Sequence, residues 1–452
     1  MIYRTNGECP GWPVRAETPH PTAWAVKMLG GAMGLTRREW IAGAVSAFAF
    51  RDATLLEVAR IARGAGEQGD EEFWLRIREQ FDIDPELTVF NHAGLSPSPI
   101  AVRDAIAAQV KRANADPSYT IWRRQDNELG PVRSRLAKLV GCDEDELALT
   151  MNATYGLQTI LMGVPMERGD SFVTTTHDYP RAFTAMAQRG RRDGTTMTQV
   201  PHTAPPEGKD VVAKKVLGAV TDRSKAVLLC QMTFTNGHIF PIREVADGLA
   251  GKDVVLFVDA AHGIGLLPQS FKEMKAQAYT ACLHKWVMGP IGTGVLAVQR
   301  PWIKRIWPLH PADPELDDNM RKFEQVGTRP AAPFLALKEC LDFHDMIGME
   351  RKAARLEFLR NRLADKVLNA PDVIHYGSLD PAVCRAILAV GFKKAPTFEL
   401  AGWLLAKHRI HVTTMVRAGM DAIRISPNVF TTLEEVDRLG DILNDVARNG
   451  IS

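Results

Sequence analysis

The chain has 452 residues, 46% hydrophobic and 24% charged, with a formal net charge of +2. That length is too great for one compact core and predicts at least two globular parts, while the near-neutral balance gives no case for nucleic acid or an anionic membrane surface as partner. The six cysteines (Cys9, Cys142, Cys230, Cys282, Cys340, Cys384) show no zinc-type or thioredoxin-type spacing, so no metal site is expected, and no apolar run approaches the ~20 residues of an integral membrane span.

In chain order, the first notable stretch is LTRREWIAGAVSAFAF, residues 35–50, where Arg37 and Arg38 precede a short apolar run. It resembles a twin-arginine export signal, with SAFAF as a small-residue cleavage region. The alternative is an amphipathic helix that starts after a Thr36 cap. Met33 would make a more usual start, with residues 1–32, rich in Pro and Gly, as an extension ahead of it. Residues 1–65 are therefore set apart from the fold. Export to the periplasm is one expectation for the chain and residence in the cytoplasm the other.

RGAGEQGD, residues 63–70, reads as a linker. EEFWLRIREQF predicts a short amphipathic helix, and LTVFNHAGLSPSP a strand that runs into a Pro/Ser/Gly turn. PVRSRLAKLVG has helical spacing that ends at Gly141. Short apolar runs then alternate with helical segments. The strands are ELALT, DSFVTTT, KAVLLCQM, VVLFVDAA and GVLAV; the helices are GLQTILMGV, RAFTAMAQRG and IREVADGLAG. Continuous apolar strands alternating with helices predict an α/β fold with a mostly parallel sheet covered on both faces. A long helical stretch runs from about Ala332 through Arg362, and a smaller strand–helix section ends in LEEVDRLGDILNDVARN.

Ligands of open parallel sheets bind beyond the carboxyl ends of the strands. The residues there are MNATYG after ELALT, HDYPR after SFVTTT, TFTNGH after AVLLCQM, Asp259 and His262 after VVLFV, and then His284 and Lys285 in CLHKWVMGPIGTG. Each has an ordinary reading. Asp259 would be a helix cap or an ion-pair partner, Asn152-Ala153-Thr154 a helix start, Tyr179 a packing residue, and Lys285 a solvated loop lysine. Each also has a chemical one. A carboxylate at the end of five apolar residues is costly unless it meets a cation. A helix start with a hydroxyl can hold a phosphate.

Read together, FNHAGLSPSP, NATYGLQTIL, HDYPRAF, TFTNGHIFPI, VDAAHGIG, CLHKWVMGPIGTG, FEQVGTRPAAPFLAL and IRISPNVFTTLEEVDRL resemble the class V aminotransferase family of pyridoxal 5'-phosphate enzymes, of fold type I, in family order. The likeness covers roughly Phe73 to the C-terminus and is closest to the isopenicillin-N-epimerase-like branch. It implies a segment at 71–96 that packs with the small domain, a large cofactor-binding domain at 97–331 and a smaller C-terminal α/β domain at 332–452.

The resemblance also implies roles. Lys285 is the lysine joined covalently to the cofactor, and an attacking lysine needs a neutral amine. Asp259 faces the ring nitrogen, His262 the ring hydroxyl, and Tyr179 the ring face. Thr154, His284 and the backbone of Ala153 hold the phosphate. Asn236 lies near ring and substrate, and Arg424 grips the substrate carboxylate; its ordinary reading is a surface arginine or a strand-edge ion pair. Gly327 and Thr328 reach the phosphate of a neighbouring subunit, which implies a homodimer with composite sites and a small-molecule amino-acid substrate.

The chain departs from the family pattern at Cys282, where relatives often carry a small hydroxyl residue. It departs again in HVTTMVRAGMDA, the loop that holds the nucleophilic cysteine of desulfurases and here has none. Cys384 is expected in the core. The expected activity is isopenicillin-N-epimerase-like chemistry at an α-carbon, with a transaminase or a C–S/β-lyase as alternatives. A non-catalytic cofactor-binding protein of this fold would lack the lysine or carry a DNA-binding domain. A dinucleotide-dependent oxidoreductase would need its glycine motif after the first strand and before a helix, and GPIGTG meets neither condition.

Overall fold

The computed structural model of the chain describes residues 70–451. The twin-arginine motif and the linker, apart from Asp70, lie outside the described residues. The strands are β1 (Thr88–Val89), β2 (Leu147–Thr150), β3 (Ser171–Thr175), β4 (Thr196–Val200), β5 (Ser224–Cys230), β6 (Val255–Asp259), β7 (Ala278–Cys282), β8 (Gly294–Val298), β9 (Val373–His375), β10 (Leu388–Phe392), β11 (Ile410–His411), β12 (Thr413–Arg417) and β13 (Met420–Ile425). Seven form one sheet in the order β2-β8-β7-β6-β5-β3-β4. Only β8 runs against its neighbours, so the carboxyl ends of the other six share an edge. The chain thus has the mostly parallel α/β architecture that its sequence predicts.

Period-2 alternation explains why the strand runs are continuously apolar. On β6, Leu256 and Val258 join a core with Leu136, Val216, Phe334 and Leu337. Val255 and Phe257 join the opposite core with Leu157, Ile160 and Met186. Both faces are covered by helices, so neither set of side chains reaches water.

A second sheet, β12-β13-β10-β9, is wholly antiparallel. It buries Leu388, Val390, Ile423 and Ile425 against the helices Met349–Val367 and Leu433–Asn449. The start of the described chain is tied to this part. β1 pairs in parallel with β11, and Arg78 reaches Glu435 at 2.8 Å. Arg355, fully buried in the helix Met349–Val367, forms an ion pair with Glu71 and donates to the Thr431 carbonyl at 3.2 Å.

The expected long helix from Ala332 is three helices, Ala332–Leu335, Leu337–Ile347 and Met349–Val367. Gly348, at φ +84°, makes the second break. The first two helices pack with the large sheet, through Phe334, Leu337 and Leu341. The core therefore changes over beyond Ala332, where the sequence reading put its boundary.

Arg355 should leave a measurable debt if its partner is removed. Glu71→Gln removes the ion-pair partner of a buried guanidinium, and breaking a pair in this way costs about 3 kcal/mol. Denaturant unfolding should show that loss. An unchanged midpoint would mean that the other contacts of Arg355 satisfy it without Glu71.

Candidate active site

A cavity of about 410 Å³ opens at the carboxyl edge of the large sheet. Ala153, Thr154, Tyr179, Asp259, His262, His284, Lys285 and Arg424 all line it. Each arrives there for a local reason. The Asn152 side chain accepts from the Tyr155 amide at 2.9 Å and caps the helix Ala153–Gly163, which leaves the Ala153 and Thr154 amides at the helix start without a partner among the described residues. That helix lies so close to β7 that a Cβ on Gly156 would stand 2.1 Å from Thr280 Oγ1. Only glycine allows the approach.

Tyr179 follows a turn closed by Asp178. The Asp178 carboxylate accepts from Thr174 Oγ1 (2.8 Å), Thr175 N (2.7 Å), Thr175 Oγ1 (2.9 Å) and, across to β5, Cys230 N (2.6 Å). Tyr179 itself is partly exposed and meets Phe234 edge-on, with ring centroids 5.9 Å apart.

Asp259 ends β6 with only 6% of its surface exposed. Its Oδ1 accepts from Ala261 N at 3.0 Å, and it forms no ion pair among the described residues. Burial pushes its carboxyl up to about 6, against the Ala261 amide and the Lys285 charge, which favour the anion.

Lys285 Nζ lies 2.9 Å from His262 Nε2. Burial holds His262 well below the usual imidazole range, helped by the charges of Lys285 and Arg424; the ring is neutral, so its Nε2 can accept from an ammonium or donate to a neutral amine. His284 is lowered to about 4, chiefly by burial and then by Lys285. The Nδ1 atoms of His262 and His284 are buried without a partner among the described residues.

The residues that flank Lys285 are clamped from behind. Trp286 and Val287 are buried, and Met288 sits in the left-handed region at φ +59°, which is costly for a side chain of that size. Lys352 Nζ donates to the Trp286 carbonyl at 2.6 Å and meets His344 Nδ1 at 2.8 Å. Cys340 Sγ reaches the Val287 carbonyl at 3.3 Å. Ser96 N donates to the His284 carbonyl at 2.9 Å. Lys352 is buried, and burial lowers it to about 7.

Arg424 on β13 is 4% exposed. Nη1 donates to the Phe234 carbonyl (2.7 Å) and Nη2 to Asn91 Oδ1 (2.6 Å), while Nε is buried without a partner among the described residues. Burial pulls it down to about 10.

Asn236, expected beside ring and substrate, does not line the cavity, and Gly327 and Thr328, expected at a neighbouring subunit's site, lie away from it too. Asn236 is fully buried with its amide spent inside the protein: Oδ1 accepts from Thr233 Oγ1 (2.6 Å) and Nδ2 donates to the Tyr376 carbonyl (2.7 Å). It staples a turn to the small sheet. Gly327 and Thr328 are exposed on a loop anchored to β2 by Glu324, which accepts from Leu149 N at 2.8 Å, and by Arg329, which donates to the Leu149 carbonyl at 3.1 Å. Conversely, Phe234, Met232, Met415, Cys230 and Cys282 line the cavity, and Asn91 orients Arg424. Asn91 lies in FNHAGLSPSP, but its partner is 333 positions away. Cys384 is fully buried, just ahead of β10.

The sequence matches the model of the aminotransferase class-V family over residues 88–439. Isopenicillin N epimerase of Streptomyces clavuligerus is 24% identical over 395 residues, covering 82% of this chain and 98% of the epimerase. A probable cysteine desulfurase of Methanothermobacter thermautotrophicus is 23% identical, covering 83% of this chain and 98% of its own length. Among solved structures, the cystine C–S lyase C-DES with its product cysteine persulfide superposes at a TM-score of 0.72, with 21% identity, over 80% of this chain and 98% of that one. The cysteine desulfurase of Thermococcus onnurineus superposes at 0.71, with 18% identity, over 82% of this chain and 97% of that one.

Proposed function

The chain belongs to the aminotransferase class-V family, and on that premise we propose that it is a pyridoxal 5'-phosphate enzyme that labilises the α-hydrogen of an amino acid, with isopenicillin-N-epimerase-like chemistry as its reaction. One observation carries the reading: a buried carboxylate without a cation, Asp259, and a lysine amine in hydrogen-bond contact with a neutral histidine share one cavity. The residues fit the cofactor. Asp259 lacks the cation that a protonated ring nitrogen would be, and the unpartnered Ala153 and Thr154 amides with Thr154 Oγ1 form an anion site at a helix start.

When bound, pyridoxal 5'-phosphate supplies an electron sink for the substrate's α-carbon. The protein supplies the rest. Lys285 Nζ would hold the cofactor and would be the group that moves the α-proton. His262 orients that nitrogen. Asp259 would keep the ring nitrogen protonated, and Tyr179 would cover the ring face. His284 would offer a ring nitrogen to the phosphate. Arg424, held by Asn91 and Phe234, presents Nε and its remaining N–H groups to the substrate carboxylate.

Transamination and β-elimination would begin with the same proton transfer. Persulfide chemistry of the desulfurase kind is disfavoured because the segment 411–422, which the structure folds mostly into β12 and the start of β13, holds no cysteine. Cys230 and Cys282 at the cavity floor are raised by burial and are poor nucleophiles. In heavy water, substrate α-hydrogen should exchange for deuterium with the purified, cofactor-loaded enzyme, and the product should be the opposite enantiomer. Exchange with keto-acid formation would favour a transaminase instead. No exchange with any amino acid would defeat the reading.

Lys352 should prove to be a positioning residue. A charge-assisted hydrogen bond is worth about 1.5–3 kcal/mol, which is about tenfold or more in affinity. Lys352→Met removes a costly buried amine but leaves the Trp286 carbonyl without its donor. Cofactor affinity should fall about tenfold while stability changes little. Unchanged affinity would show that the loop holds itself.

The exposed Gly327 and Thr328, with Leu95, Met151 and Ile291 exposed on segments next to cavity-lining residues, support a homodimer in which a partner completes the phosphate site. Sedimentation should give two chains; a monomer that retains full cofactor affinity would contradict this. Export is a separate part of the proposal. Changing Arg37 and Arg38 together to Lys should block it, and retention of the wild-type chain in the cytoplasm at full length would refute it.

A further inference from the structure

Thr413, Met415 and Arg417 alternate along β12 and so project from one face. Residues directly opposite in an antiparallel pair share a face as well, and Thr413 lies opposite Arg424. Arg424 and Met415 both line the cavity. Arg417 therefore stands on the cavity face of the small sheet, about 13 Å along the strand from the Arg424 register. Phe234 spans the interval. Its carbonyl accepts from Arg424 Nη1 at 2.7 Å, and its ring lies 5.1 Å beneath the Arg417 guanidinium.

Arg417 is short of partners. Arg133, Arg189 and Arg355 each meet a carboxylate, and Arg360 meets backbone carbonyls. Arg417 forms no ion pair among the described residues and has one long contact, to the Thr176 carbonyl at 3.5 Å. Its Nε is buried without a partner among the described residues. Asp178, the nearby carboxylate, is already saturated by two hydroxyls and two amides. His177, the other titratable group facing it, is neutral.

We propose that the substrate is an amino acid whose side chain ends in a second anionic group, with Arg424 on the α-carboxylate, Arg417 on the distal anion, and Phe234 and Met415 along the chain between them. This rests on the reading of the cavity as an amino-acid site, and it adds a chemical class of substrate. A long side chain with a terminal carboxylate fits; a small or purely apolar amino acid leaves Arg417 unpaired.

The test compares L-2-aminosuberate with L-2-aminooctanoate, which match in chain length and differ in the terminal charge. Binding to the cofactor-loaded enzyme is read from the cofactor's visible absorbance. The dianion should bind about tenfold tighter or more. In Arg417→Gln that ratio should collapse toward one, and Arg417→Lys should restore part of it. Equal affinities in the wild type, or a ratio that survives Arg417→Gln, overturn the second anion site and leave the amino-acid site standing. If neither acid perturbs the absorbance although the cofactor is attached, both fail.

Discussion

Lys285→Ala should reduce α-hydrogen exchange by about 10⁴-fold, the upper range for removal of a positioned proton-transfer group. The size of the effect follows from the site. Tyr179 is partly exposed, His262 and His284 are neutral, and Lys285 Nζ is a basic group that both lines the cavity and contacts His262. The variant should still fold, because Lys285 makes no ion pair among the described residues and its clamped neighbours do not depend on its side chain. Exchange within tenfold of wild type would place the proton transfer on another group.

Asp259→Asn should cut exchange by about 10²-fold or more, as the loss of a preorganised charge beside the reacting system does. The variant separates chemistry from stability. The Asp259 carboxyl is raised to about 6, above the 3.9 of an unfolded chain, so the native protein without cofactor binds a proton that the unfolded chain has lost. Its stability therefore falls as pH rises from about 4 to about 6. Asparagine removes that cost, and the cofactor-free variant should be at least as stable as wild type at pH 7. The anion that a protonated ring nitrogen needs is present only above about pH 6. Wild-type cofactor affinity should accordingly weaken as pH falls below 6, and the Asn variant should lose that limb. Near-normal exchange in Asp259→Asn would show that the charge has no part in the chemistry.

The elements that the sequence made legible are those whose burial is uniform. β5, β6 and β8 are apolar on both faces because helices cover both, and Gly141, at φ +75°, stops its helix where the spacing said it would. β4 gave no such run. It is the sheet edge, and of Thr196–Val200 only Val200 is buried. β7, Ala278–Cys282, is fully buried, but Tyr and Thr interrupt its apolar character. The helix Ile100–Ala115 buries only Val102 and Ala105, so its apolar stripe is faint.

The site divides along the same line. Residues that directly follow a strand, such as Asp259 and Lys285, were legible because topology brings strand ends together. Asn236 follows β5 too, yet its amide is consumed by Thr233 and Tyr376, and nothing in TFTNGH announces a partner 140 positions away. Lys352 sits in RKAARLEFLRNR, where it reads as a solvated helix lysine. Only the packing of that helix against the Trp286 loop buries it.

The most direct test of the account is the covalent address of the cofactor. Purified protein reconstituted with pyridoxal 5'-phosphate should absorb visible light, bleach on borohydride treatment, and yield on digestion a single phosphopyridoxyl-labelled peptide that spans Cys282 to Gly294. Fragmentation should place the label on Lys285. A label on Lys352 or on a surface lysine, or no label at all, would contradict it.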